Sequence, residues 1–394
     1  MAREINALWR GANQIIAFVG AILISGSALS NPVLNDVASG QVSIEQTSSQ
    51  VIVNQTSGKA ILNWKTFNIK EGEHTHFNQP AGGTALNRID PNQGASQIYG
   101  RLTATGQIIL INGAGLHFGP NAYVNVGSLI AGTADISNQN FLNGIYQFSM
   151  GSMQNGSVVN EGQIIAAQHG LVALVGSSVT NSGLIQAELG QVVLGSGRTF
   201  TMNFAGNDLV GFSVDEGALS AGVDKDGNPI SHGVSNTGKI IANGGKIHIS
   251  AKTASSILDN AINLKGIAQA QSVGAKNGEI ILMAHGGTAK VSGRLDVSGK
   301  NIGEKGGKVK VLGNKVAVYQ EGVIDASGHQ GGGEVLIGGN YKGSGPEQNA
   351  QYAYVGTSAL IDASALTNGN GGRVILWSDE GTKFYGTIKA TGGS

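Results

Sequence analysis

A chain of 394 residues with 63 glycines, 40% hydrophobic residues and only 13% charged residues carries too much apolar surface for a solvated disordered chain, and without a Gly-X-Y period it is not a collagen. Its 25 basic and 25 acidic residues cancel, so no global field attracts polyanions and no nucleic-acid partner is expected. The glycine excess reads instead as corners between many short strands. Residues 1–30 read as a secretory signal. Arg3 and Arg10 lie in the n-region, Ile15 to Ile24 forms a ten-residue apolar h-region, and Ala28 and Ser30 are small residues at positions minus three and minus one of a cut before Asn31. An N-terminal membrane anchor is the competing reading, but ten apolar residues fall short of the ~20 that span a bilayer, and no transmembrane segment is expected in the mature chain. The chain has no cysteine, so no disulfide closes a loop that would obstruct passage through a narrow pore.

The next hundred residues hold an ordered series of blocks. They are VNQTSGKAILNWKTFNIKEGEHTHFNQP (Val53 to Pro80), ALNRI (Ala85 to Ile89), SQIYGRLTATGQIILIN (Ser96 to Asn112), GLHFG (Gly115 to Gly119) and AYVNVGSLIAGTADI (Ala122 to Ile136). This series resembles the secretion domain of filamentous-haemagglutinin-like and HMW-type adhesins, which are two-partner secretion exoproteins with a haemagglutination activity domain. The resemblance implies a β-helix cap over residues 31–150, recognised by the periplasmic POTRA domains of an outer-membrane barrel transporter. Carried over position by position, it assigns transporter recognition to Asn87, Arg88, Asn112, Gly113, Ala114 and Gly115, and further to Phe118, Gly119, Asn125 and Gly127. One departure is visible: the family's Asn-Pro-Asn-Gly turn is Asn112-Gly113-Ala114-Gly115 here, which predicts a looser turn lacking side-chain to backbone bonding.

Past residue 150 a phrase recurs in which Asn or a small residue leads to Gly, alternating apolar residues, then Ala or Ser. The copies centre on Gly162, Gly183, Gly238, Gly266, Gly293 and Gly322, then Ala359 in the glycine place and Gly386, with steps of 21, 55, 28, 27, 29, 37 and 27 residues. Second strands such as GLVALVG (Gly170 to Gly176), GKIHISA (Gly245 to Ala251) and GEIILMA (Gly278 to Ala284) lie between them. A unit of this size cannot bury its apolar face alone, so the period predicts a solenoid. The expected fold is all-β: a right-handed, single-stranded parallel β-helix of pectin-lyase-like form, with an N-terminal cap and extra-helical hairpins. Residues 151–394 supply its repeats, which are expected to continue past Ser394. Strand alternation places Ile324, Ala326, Ile361 and Ala363 inside, and Asp325 and Asp362 in water. The double step between Gly183 and Gly238 predicts a hairpin outside the helix plus one irregular coil, with a turn at Asp224 to Pro229.

Chemical motifs are sparse. His74 and His76 could present two imidazoles on one strand face, but without a third ligand at fixed spacing they read as surface residues, and no metal is assigned. Asp296, Asp325 and Asp362 could stack on one face like the acids of a β-helix glycan-active enzyme, but solvated strand acids are the commoner outcome, Lys389 replaces the acid in the last copy, and no catalytic residue is assigned. No cofactor motif is present. Trp64 and Phe67 read as core of the cap, whereas Tyr319, Tyr341, Tyr352 and Tyr354 are the exposed aromatics suited to carbohydrate or protein contact. The leading expectation is therefore a non-enzymatic, surface-exposed or secreted adhesin-like protein, leaving the cell through the Sec system and then a POTRA-barrel transporter, with a host-cell glycan or protein as receptor. The alternatives are a β-helix glycan-active enzyme, or a haem or haemopexin-acquisition exoprotein of the same export family.

Overall fold

The computed structural model describes residues 31–394 apart from 152–154, 207 and 254–259. The expected signal peptide, including Ser30, lies outside the described residues; Asn31 lies within them, buried, its amide donating to the carbonyls of Thr47 and Ser48.

The chain winds as a parallel β-helix with three strands per coil. One face stacks strands such as Thr84–Ile89, Gln107–Ile111, Ser128–Gly132, Leu171–Gly176 and Gln191–Ser196 in parallel register. A second stacks Leu116–Phe118, Val158–Asn160, Val179–Asn181 and His232–Asn236. The third runs through Arg101–Ala104, Tyr123–Val126, Gln163–Ala166 and Leu184–Gln186, and on to Thr387–Lys389. The long strands Glu279–Val291 and Lys308–Val318 contribute to the first two faces at once.

At the N-terminal end the strands run the other way. Val33–Ser39 pairs antiparallel with Lys59–Thr66 through three register irregularities, and Val42–Gln46 pairs antiparallel with Gln50–Gln55. These two strands seal the first coil, and the irregular pairing blunts an edge that would otherwise template intermolecular sheet growth.

The corners explain the glycines. A Cβ on Gly183 would sit 2.1 Å from the carbonyl oxygen of Gly162, one on Gly238 2.2 Å from that of Gly183, and one on Gly266 2.1 Å from that of Gly238. Successive coils approach so closely at this corner that a methyl group has no room. The asparagine that leads three of the phrases has its own role: Asn160 donates to Asn181, and Asn181 to Asn236, each at 2.7 Å, a buried ladder parallel to the axis.

One apolar core runs down the axis from Val51 to Ala363, and the expected parity holds within it. Ile324, Ala326, Ile361 and Ala363 are all fully buried. The expectation that Asp325 stands in water is overturned. It points away from the core as its parity requires, but it is only 8% exposed, because Arg294 and Lys300 lie across it. Asp296 is covered in the same way.

A second apolar cluster lies outside the helix wall. The outward positions Ile61, Leu86, Ile109, Ile130, Ala173 and Val193 form one column across successive coils. The short helix Asn138–Asn143 and an antiparallel sheet of Tyr146–Ser149, Thr199–Ala205 and Asp208–Glu216 close over it. The hairpin expected in the double step is this sheet's second and third strands. His248 follows Val193 in the column and meets the edge of the Phe212 ring, and burial there pushes its imidazole down to about 4.

Candidate functional site

The family resemblance assigned transporter recognition to residues of the first coils, and most of those residues are built into the fold. Asn87 points inward from Thr84–Ile89. Its Oδ1 accepts from the Trp64 indole at 2.9 Å and its amide donates to the carbonyls of Ala85 and Ile109, so this buried amide is fully bonded. Trp64 in turn meets Phe67 edge to face at 5.2 Å, and both rings are buried as the sequence implied.

Arg88, the next residue, points outward and clamps the lid. Its Nε donates to Asp135 at 2.7 Å, Nη1 to Asn138 at 2.5 Å, and Nη2 to the Ile136 carbonyl. Lys59 adds a second tie, donating to the carbonyls of Phe141 and Leu142 at 2.9 Å each, the C-terminal end of the lid helix. Ser137 caps the other end by accepting from the Asn140 N–H. The three side chains fix the helix over the apolar column, and sequence reading had assigned none of them this role.

The turn at Asn112 to Gly115 departs from expectation. Asn112 is fully buried; its amide donates to the Gly94 carbonyl and the Ser96 hydroxyl, both at 3.0 Å, and its Oδ1 accepts from the Ala114 N–H at 2.9 Å. The predicted lack of side-chain bonding is therefore wrong, since the first Asn of the turn supplies it. Gly115, at φ 122°, closes the turn by donating to the Asn112 carbonyl at 2.9 Å. Gly113 carries no such strain, but its carbonyl abuts Gly156 of a later coil.

Phe118 is fully buried in the axial core, and the Tyr99 ring packs so tightly on Gly119 that a Cβ there would lie 1.8 Å from it. Gly127 is a stacking corner against Gly106. Only Asn125 is openly exposed, donating to the Tyr123 hydroxyl at 3.2 Å. Arg88 borders a surface depression of about 550 Å³, shared with Asn35, Asn63, Lys65 and Asp90 beside the cap.

The other motifs resolve chemically. His74 and His76 do share a face, and both bond the Thr103 hydroxyl, at 2.7 and 2.6 Å; burial and the Arg101 charge push the His74 imidazole down. Among the described residues no group of three or more His, Asp or Glu is placed to hold a metal. The aspartates stack in register, Asp296 beside Asp325 beside Asp362, with Lys389 next. Both oxygens of Asp296 and of Asp325 are committed, and one of Asp362. Asp325 accepts from the N–H and hydroxyl of Ser327, Asp296 from those of Ser298, and Asp362 from the N–H of Ser364. Burial raises the Asp325 carboxyl, but the Ser327 bonds and Lys300 outweigh this and hold it below its ordinary value. Each Asp-x-Ser is thus a corner device that turns the chain after the third face.

Among the described residues no helix is long and apolar enough to cross a membrane. The fold matches the crystal structure of the HMW1 secretion domain from Haemophilus influenzae with a TM-score of 0.79 and 30% identity, covering 92% of this chain and 91% of that one. Two curated relatives, each a heme/hemopexin-binding protein of Haemophilus influenzae, are 28% identical over 295 residues and 31% identical over 298. Those alignments cover 73% and 68% of this chain, which spans less than a third of either relative's length. The family model for the TPS secretion domain matches residues 30–297. With a capped β-helix, a clamped lid and a family match over most of its length, the chain belongs to the secretion-domain family of two-partner secretion exoproteins.

Proposed function

We propose that the N-terminal coils are the export signal of an exoprotein, read in the periplasm by the POTRA domains of a dedicated outer-membrane transporter, and that once outside they form the first folded template for the coils that follow. The match to the secretion-domain family carries this reading. The buried state of Asn87, Asn112 and Phe118 gives it a mechanism: in the folded domain these side chains face their own core, so a transporter that reads them reads the chain before it folds. Each later coil contacts only its neighbours and docks on the one before, so folding outside opposes backsliding without nucleotide hydrolysis. Delivery to the periplasm by the Sec system, with cleavage between Ser30 and Asn31 on translocation, completes the route. The test is binding of residues 31–297 to the purified POTRA domains of the transporter, either held in urea-diluted unfolded form or prefolded. Capture of the unfolded form alone supports the reading; capture of neither form refutes it.

For the cargo, the curated relatives favour haem or haemopexin acquisition over adhesion, since both are heme/hemopexin-binding proteins. Binding of the secreted full-length exoprotein to haemopexin supports that role, and attachment to host cells without haemopexin binding supports adhesion. The relatives also argue against a glycan-cleaving role, and the oxygens of Asp296 and Asp325 are committed to serine and basic partners.

A further inference from the structure

Charge along the outer wall follows two patterns. On the first face one column reads Lys246, Glu279, Lys308, Glu334, Arg373 through successive coils, and neighbours pair at 3.0, 3.5 and 3.3 Å. Signs alternate and the charges are consumed internally. The second face behaves differently in its last coils. Its outward positions carry Lys290, Lys315 and Lys383 with Tyr319, Tyr352, Tyr354 and Tyr385, and between these only Thr, Ser, Ala or Gly. Lys265 extends the run one coil earlier. None of these four lysines takes part in an ion pair among the described residues.

The tyrosines are ordered along the axis. The rings of Tyr319, Tyr354 and Tyr385 follow one another at 5.8 and 6.0 Å between centroids, and the Lys290 ammonium lies 4.8 Å over the Tyr319 ring. Tyr319 and Tyr385 are 38% and 57% exposed, a large aromatic area left in water. Tyr352 lies at the rim, where the Glu380 carboxylate engages its hydroxyl. We propose that this face is a binding site for a linear anionic polysaccharide lying along the helix axis. The apolar face of a pyranose packs on a tyrosine ring while its hydroxyls stay in water or meet the phenol, and the unpaired lysines supply the countercharge for its acid groups. The repeat of one aromatic position per coil suits a polymer rather than a single sugar. The proposal goes beyond the export reading and does not rest on it.

The test uses the full mature chain and isothermal titration with oligogalacturonate and chondroitin sulfate oligosaccharides, with maltooligosaccharide as the neutral control and polyphosphate as the control without sugar rings. Saturable binding to at least one anionic glycan is expected, weakening with salt, with the maltooligosaccharide weaker. Tyr319→Ser with Tyr354→Ser removes two ring contacts and is expected to lower affinity roughly fivefold or more. Lys290→Gln with Lys383→Gln should reduce both the affinity and its salt dependence. Circular dichroism matching the parent confirms that the outward substitutions leave the coils folded. The proposal is overturned if neither anionic glycan binds, if the tyrosine variants bind as the parent does, or if polyphosphate competes equally and is equally indifferent to them.

Discussion

Replacing Asp325 separates a covered ion pair from a solvated acid. Its Oδ2 lies 2.6 Å from Arg294 and 3.2 Å from Lys300, while Oδ1 accepts two bonds from Ser327. Asp325→Asn keeps the Ser327 acceptor and loses the charge. Since Arg294 and Lys300 are 37% and 52% exposed, water screens much of the lost attraction, and about 1 kcal/mol is expected. Asp325→Ala also strands the Ser327 donors and should cost roughly 2–3 kcal/mol. Ile324→Asp, one residue away, places a carboxylate between Leu295 and Ile361 in the core, losing about 2–3 kcal/mol of burial before the charge is counted. That cost should leave the coil undocked. Pulse proteolysis across a urea series, scored by cleavage after Gly322, should rank the parent first, then Asp325→Asn, Asp325→Ala and Ile324→Asp. Because the folded state holds the Asp325 carboxyl below its ordinary value, its contribution is present above about pH 4 and fades as pH falls further, and the Ala variant should lack that acid-labile part. An Asp325→Asn midpoint equal to the parent's would show that the cover over this acid contributes nothing, and protection of Ile324→Asp would reverse the inward and outward assignment.

Burial holds the His248 imidazole near 4, so the folded state binds fewer protons than the unfolded state between the ordinary histidine value and about pH 4; stability should fall as pH drops through that window, by up to ~3 kcal/mol. His248→Gln should flatten this dependence in urea titrations at pH 7 and pH 4.5. Arg88→Ala removes three bonds from the stretch leading into the lid helix, at about 1–2 kcal/mol net, and should speed proteolysis near residues 135–150 while leaving the coils beyond Gly322 protected. Gly238→Ala drives a methyl group to within 2.2 Å of the Gly183 carbonyl and should cost roughly 1–3 kcal/mol, read as a lower urea midpoint.

The parts of this fold that were legible share a cause, which is strict local sterics repeated every coil. A corner that cannot hold a Cβ writes Gly at Gly162, Gly183 and Gly238, and a two-residue alternation writes Ile324 and Ala326 inward whatever lies around them. What stayed hidden depends on residues far apart in sequence. The cover over Asp325 comes from Arg294, thirty-one positions earlier, so parity alone could report direction but not solvation. The lid was hidden for another reason. Strands such as Gln107–Ile111 are apolar on both sides, because Ile108 and Leu110 face the axis while Ile109 and Ile111 face the lid, and the alternation that marks a wall disappears. The helix Asn138–Asn143 is too short to show a period. At the candidate site, family likeness named residues of the first coils, but whether a residue such as Asn87 or Arg88 faces core, lid or solvent could be seen only in three dimensions.

Secretion itself is the most direct test. The chain is expressed in the periplasm of a host lacking such transporters, with and without the partner barrel, and the medium is assayed for folded, protease-resistant protein. Release is expected only with the partner present, and should be lost when residues 31–150 are deleted. Equal release without the transporter, or undiminished release of the deletion, would contradict the assignment of these coils as the export signal.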